Sequence, residues 1–427
     1  MKHWKPLVAT MAVALVAACG PPEADTSDSD VDNETGTLRV WLFDEADRAA
    51  KESVVDEAVD EFETAHDDVN VDVSYIAVDS RSERFTGAFN APESAPDVAE
   101  FGNTDLASYV AADGFAPLND MLDEWSTSDQ LSESVLDTAT IDGDVYGVPW
   151  FTGMRALYYR TDVFDELDLQ PPETLPELVD TAEEIRQEKP DMYGIATGGK
   201  YDYALLPFIW AAGGQLANKD GDGYAAALDS PESRKGIRSY AALIDDDICP
   251  PAQCAGMTGT DAAEVFAAGK AAMGIAGDFN RSAMDSGEVS DDYDVVPLPG
   301  YEPDSIAPAF AGGNLLGVLG STKHRTLADE FIQLLAGKKY QREMYETMGN
   351  LPTLENVQES VASDDPWIDP FVRTLQAGTE FVPASPAWSE IDAQDVLPTM
   401  VQRIVKGTAV AEATESASKA MNKAFQE

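Results

Sequence analysis

Strand-like and helix-like patterns alternate along this chain, which predicts an α/β protein with parallel strand pairs. Length predicts two lobes, because 427 residues is long for one hydrophobic core. Two extended segments, 145–150 and 155–160, lie between a first α/β region and a second, where they would suit a hinge.

The elements follow in order. Leu38–Phe43 is a short apolar run, and a helical pattern follows from about Asp47 to His66. Val69, Val71, Val73 and Tyr75 alternate with polar residues as a half-buried strand does. A helix is expected over 83–90, and Pro96–Phe101 reads as a short strand ending at Gly102. In the middle, Thr174-Leu-Pro-Glu177 reads as a capping box opening a helix to about Glu188. Ser230-Pro231-Glu232 supplies an N-cap followed by proline at the first helical position. From Thr326 onward helical patterns dominate.

Residues 1–18 read as a secretory signal: Lys2, His3 and Lys5, an apolar run from Leu7 to Val16, then small residues. Cys19, directly after Leu15-Val16-Ala17-Ala18, resembles the lipobox cysteine of bacterial lipoproteins. That resemblance implies cleavage before Cys19 and lipid on its thiol. The apolar run is shorter than the roughly 20 residues that span a bilayer. The expectation is therefore a chain anchored to the outer face of the membrane by lipid alone. Residues 19–36, rich in acids, Ser, Gly and Pro without apolar period, are expected to form a disordered tether.

The formal net charge is −50, and −52 once Lys2 and Lys5 leave with the signal. Such acidity argues against nucleic acid, whose phosphates it repels, and against a polybasic membrane patch. Asp245–Asp247, Asp291-Asp292 and Asp364-Asp365 are scattered, as in a general solvating shell; a salt-rich habitat would explain them. Of three cysteines, Cys249 and Cys254 remain once Cys19 is assigned to lipid. In an exported protein this pair is expected to close a small disulfide loop, while zinc would want four ligands and redox work a closer spacing. Asn218, Asp220, Asp222, Gly223 and Asp229 partly match a calcium-loop template. Asp-Gly-Asp-Gly is also a hairpin signal, and the turn without metal is the expectation. No cofactor is expected.

Open α/β sheets bind ligands beyond the carboxyl ends of their strands. The first strand is followed by Asp44 and Glu45, the second by Asp79, Ser80 and Arg81, the third by Asn103, Thr104 and Asp105. Trp41 and Phe43 add aromatic faces. Carboxylates and amides for hydroxyls, with rings for C–H faces, suit a neutral polyol. Trp150-Phe151-Thr152-Gly153 follows the first hinge segment. Asp278-Phe279-Asn280 and Gly313-Asn314 are polar tips of glycine-bracketed turns, and Pro386-Ala387-Trp388 carries another tryptophan. Tight turns and core aromatics explain each of these equally well.

Taken together, several segments resemble the extracellular sugar-binding proteins that serve ABC importers, a maltose-binding-protein-like family. They are Ser94-Ala-Pro-Asp97-Val98, Asp144-Val-Tyr-Gly-Val-Pro-Trp150 with Leu157–Arg160, Phe266–Met273 and Gly349-Asn-Leu-Pro352. The resemblance covers nearly everything from 38 to 425. Glu100–Asp105 and Phe310–Asn314 look most like actinobacterial members for chitobiose, N-acetylglucosamine or related oligosaccharides. The resemblance implies the two-lobe periplasmic-binding-protein fold of type II, each lobe a mixed sheet flanked by helices, with hinge strands between. The division expected is 37–148 with 300–348 against 149–299 with 349–427. It implies that Trp41, Asp44, Asp79, Asn103, Trp150, Phe151, Phe279, Asn280, Gly313, Asn314 and Trp388 lie near ligand, with Asp97 supporting a cleft loop. Arg81, Thr104 and Asp278 complete the candidate set. The implied partners are an oligosaccharide and the transmembrane subunits of an ABC permease, for a monomeric receptor without enzymatic activity.

The rival class is a secreted glycoside hydrolase, which flanks the bond with two carboxylates. Acids are plentiful here, but no nucleophile-elbow Gly-x-Ser-x-Gly, HExxH or phosphate loop occurs. A surface adhesin or peptide receptor is a third reading.

Overall fold

The computed structural model describes Met1 and residues 32–44, 48–221, 223–310 and 312–426. Cys19, the signal segment and most of the tether lie outside the described residues.

Two sheets organise the chain. The first has six strands, in the order Leu351–Pro352, Val148–Gly153, Gly312–Val318, Val98–Gly102, Gly36–Asp44 and Val69–Ala77. Gly36–Asp44 runs parallel to both Val69–Ala77 and Val98–Gly102, while Gly312–Val318 enters antiparallel between Val98–Gly102 and Val148–Gly153. The second sheet has four strands, Tyr293–Val296, Arg155–Arg160, Ala271–Gly277 and Tyr193–Ala196. Both are mixed sheets with helices packed against them, the α/β fold expected.

The early elements lie close to their expected positions: helix Arg48–Ala65, strand Val69–Ala77 and helix Arg81–Asn90. Leu38, Val40 and Leu42 are fully buried, because every second residue of a strand points to the same face. Helix Leu175–Glu188 begins where expected, with Thr174 Oγ1 accepting the Glu177 N–H at 3.2 Å. Its box is not reciprocal: the Glu177 carboxylate takes the Glu173 N–H instead, at 2.9 Å. Ser230 caps helix Pro231–Ala242 by accepting the Ser233 N–H at 3.1 Å.

The division between the lobes departs from expectation. Residues 149–153 and 351–352, placed in the second lobe by sequence, are strands of the first sheet. Residues 300–310 turn the other way: Leu175 N–H donates to Gly300 O at 2.7 Å, and Tyr301 donates to Ser239 at 2.8 Å. Extended runs mark where the chain crosses but not which sheet supplies the pairing partners. Residues 32–36 also leave the expected tether. Asn33 N–H donates to Lys323 O at 2.7 Å, Asp32 accepts from Thr326, and strand pairing begins at Gly36.

Cys249 and Cys254 form a disulfide, their Cα atoms 5.9 Å apart. Ala217–Asp220 and Gly223–Ala226 pair as an antiparallel hairpin around the candidate calcium loop; Asp222 lies outside the described residues. Among the described residues no three His, Cys, Asp or Glu side chains are grouped to hold a metal, and no helix is long and apolar enough to cross a membrane.

Candidate functional site

A cleft of about 570 Å³ opens between the two sheets. Its first wall is the carboxyl ends of the parallel strands: Phe43, then Val78 and Arg81, then Gly102 to Asp105. The facing wall is Asp278 and Phe279, at the end of Ala271–Gly277, with Tyr203. Crossing segments form the floor through Phe151–Gly153, Arg155, Phe310, Gly312–Asn314, Met348 and Asn350. Opposite rims touch where Ser108 meets Pro386 O at 3.3 Å and Ser389 at 3.2 Å.

Beneath the floor lies a buried network. Lys51 Nζ donates to both oxygens of Glu100, at 3.0 and 2.7 Å, with both side chains fully buried. Glu100 also accepts the Phe43 N–H at 2.7 Å and the Asn314 amide at 2.5 Å. One carboxylate thus orients the end of the first strand and a floor residue together. Gly313 is required beside it, because a Cβ there would stand 2.6 Å from the Phe151 carbonyl oxygen.

The second-lobe wall hangs on Asp278. Its Oδ1 accepts the Met154 N–H at 2.8 Å and its Oδ2 the Leu351 N–H at 3.3 Å, so one carboxylate pins two crossing segments. Burial pushes this carboxyl up to about 7 despite those donors. Arg155 lies over the rings of Tyr203 at 4.7 Å and Phe279 at 5.4 Å, and its Nε donates to Tyr201 Oη at 3.1 Å. Phe279 is 47% exposed, a ring face turned to solvent. Across the cleft Arg81 is held by Asp105 at 2.7 Å.

The structure brings Arg81, Asn103, Thr104, Phe151, Asp278, Phe279, Gly313 and Asn314 to one cleft. Asn280 lines an adjoining cavity of about 290 Å³, its Oδ1 accepting the Gly277 N–H. Four expected residues lie elsewhere. Trp41 packs edge-on against Phe85 at 6.0 Å, and Asp44 is exposed and paired with Arg48. Trp150 is fully buried and Trp388 is 6% exposed, so neither presents a ring face to the cleft. Strand alternation is the reason for Trp150: Phe151, its neighbour, takes the cleft-facing side. Asp79 sits in the turn Val78–Ser80, and its side chain lies outside the described residues. Asp97 accepts the Arg39 N–H and the Thr322 hydroxyl, away from the cleft.

Arg155, Tyr203, Phe310, Met348 and Asn350 were not among the expected residues. Phe310 and Asn350 stand inside segments that carried the family resemblance, a signal that could have found them. Tyr203, early in a helix, has no local signal.

Two lobes with a polar, aromatic-lined cleft between them define a binding protein of the type II periplasmic class. The chain belongs to the bacterial extracellular solute-binding protein family, whose model matches residues 57–370. The diacetylchitobiose binding protein DasA of Streptomyces coelicolor is 26% identical over 97% of this chain and 96% of its own length. The multiple sugar-binding protein of Streptococcus mutans is 23% identical over 59% of this chain and 61% of its own. Among solved structures, the sugar-binding protein MalE of Xanthomonas citri superposes with a TM-score of 0.82 at 22% identity, covering 92% of this chain and 98% of that one. The GacH receptor of Streptomyces glaucescens gives 0.76 at 20% identity, covering 92% and 99%.

Proposed function

We propose that this chain is a carbohydrate receptor that captures an oligosaccharide of the chitobiose or N-acetylglucosamine type and delivers it to an ABC permease. The observation that carries the reading is the cleft: exposed ring surface at Phe279 beside amides, carboxylates and guanidinium groups at strand ends. Such a lining matches the alternating hydroxyls and C–H faces of a sugar. The name of the DasA relative points to the chitobiose type. Closure about the crossing segments near Met154 and Leu351 would enclose the ligand, and the closed form would be the one the permease engages. In this reading Cys19 carries lipid, the receptor works as a monomer outside the cytoplasm, and no covalent step occurs. The hydrolase alternative needs a working carboxylate pair, yet Asp105 is held by Arg81 and Asp278 by two backbone N–H groups.

A thermal-shift panel of N-acetylglucosamine, chitobiose, cellobiose, maltose and trehalose tests this, because a ligand that binds only the native state raises the melting point. A shift with chitobiose, with the sugar recovered intact, is expected; released monomers would instead favour the hydrolase. Lipid labelling that persists in Cys19→Ala would remove the anchor from the reading.

A further inference from the structure

Three asparagine amides line the cleft, and the protein treats one differently. Asn103 Nδ2 donates to Thr138 Oγ1 at 3.0 Å, and Asn314 Nδ2 donates to Glu100. Asn350 is only 9% exposed, and its Nδ2 is buried with no acceptor among the described residues. A buried donor without an acceptor is costly, and native proteins rarely keep one without a use. A ligand drawn into the cleft that Asn350 lines can supply that acceptor.

The surroundings narrow which acceptor. Asp278 accepts the N–H of Leu351, next in the chain to Asn350, and each of its oxygens keeps lone pairs for a further donor. Met348, two residues before Asn350, adds apolar surface to the same lining. An acetamido group carries a carbonyl acceptor, an N–H donor and a methyl, complementary to these three. A hydroxyl would leave the Met348 surface unmatched. A carboxylate would enter a chain of net charge −50.

We propose that Asn350 reads an acetamido substituent on the bound sugar, donating its amide N–H to the substituent's carbonyl oxygen, with Asp278 accepting its N–H and Met348 covering its methyl. This rests on the carbohydrate-receptor reading above and names the residue that would set its choice of sugar.

The test is calorimetry on wild type, Asn350→Ala and the isosteric Asn350→Asp with chitobiose and with cellobiose, which has hydroxyls in place of acetamido groups. Wild type should prefer chitobiose. Both variants should lose about tenfold or more in chitobiose affinity, as a lost hydrogen bond to a buried site requires. Their cellobiose affinity should stay within about twofold of wild type. The ligand-free melting point of Asn350→Ala should not fall, because the Nδ2 removed has no acceptor among the described residues. Equal losses for both sugars, unchanged chitobiose affinity, or a falling melting point with selectivity intact would each overturn the assignment. Wild type binding both sugars equally would overturn it and leave the receptor reading standing. Wild type binding neither sugar, nor any other in the panel, would overturn both.

Discussion

Lys51 Nζ and Glu100 Oε2 meet at 2.7 Å with no solvent exposure on either side chain. The pair lies under the cleft floor and holds the Phe43 backbone and the Asn314 amide. Removing one member leaves a buried charge uncompensated, at a cost of about 3–5 kcal/mol. Lys51→Met is therefore expected to destabilise by that order, and Lys51→Met with Glu100→Gln, which keeps an acceptor for the Phe43 N–H, by clearly less. Urea unfolding of the two variants checks this; equal losses would show that packing, not charge, dominates.

Trp388 and Trp150 are buried, so their truncation should act on stability. A buried tryptophan cut to alanine costs about 3–5 kcal/mol through lost burial and the cavity left behind. Trp388→Ala should lower the melting point markedly, with ligand affinity near wild type in whatever protein remains folded. The family resemblance implies a place near ligand for Trp388, where truncation would lower affinity, and calorimetry beside thermal unfolding separates the two effects.

Phe279 behaves the opposite way. Its ring is 47% exposed and backed by Arg155 at 5.4 Å. Phe279→Ala should leave stability nearly unchanged and weaken sugar binding by about 1–3 kcal/mol, the worth of an aromatic face covered by ligand. Calorimetry with chitobiose gives the number directly.

Asp278 makes stability depend on pH. Burial raises its folded value to about 7, while the unfolded carboxyl titrates near the ordinary value of about 4. Between those limits the folded state holds a proton that the unfolded state has lost. The stability Asp278 contributes is thus full at low pH and lost as pH rises toward 7. Asp202, pushed up to about 7 by burial with Asp392 and Asp395 adding like charge, works in the same direction. Carboxyls held low by partners, such as Asp365 beside Arg281, act oppositely and only at more acidic pH. Melting points should rise on acidification from pH 7.5 to 5, and Asp278→Asn should flatten part of that slope.

Much of the fold was legible. Strand alternation at Val69–Tyr75, the cap at Ser230 and the proline after it are local signals, and local signals survive folding. The candidate site was legible where a strand's carboxyl end fixed it, as at Asn103, Thr104 and Phe279. It failed at Trp41 and Trp150, where the choice between core and cleft depends on which face of the strand meets the other lobe.

By itself the sequence determined the alternating α/β pattern, the strand ends that carry polar groups, and the acidity that argues against nucleic acid. Only the tertiary structure decided which sheet takes each crossing strand, because hydrogen-bond partners more than 150 residues away, such as Asn314 for Phe151, set that pairing. It alone paired Lys51 with Glu100 and left the Asn350 Nδ2 without an acceptor among the described residues. Those outcomes depend on distances between groups remote in sequence, and no local pattern of residues encodes a distance.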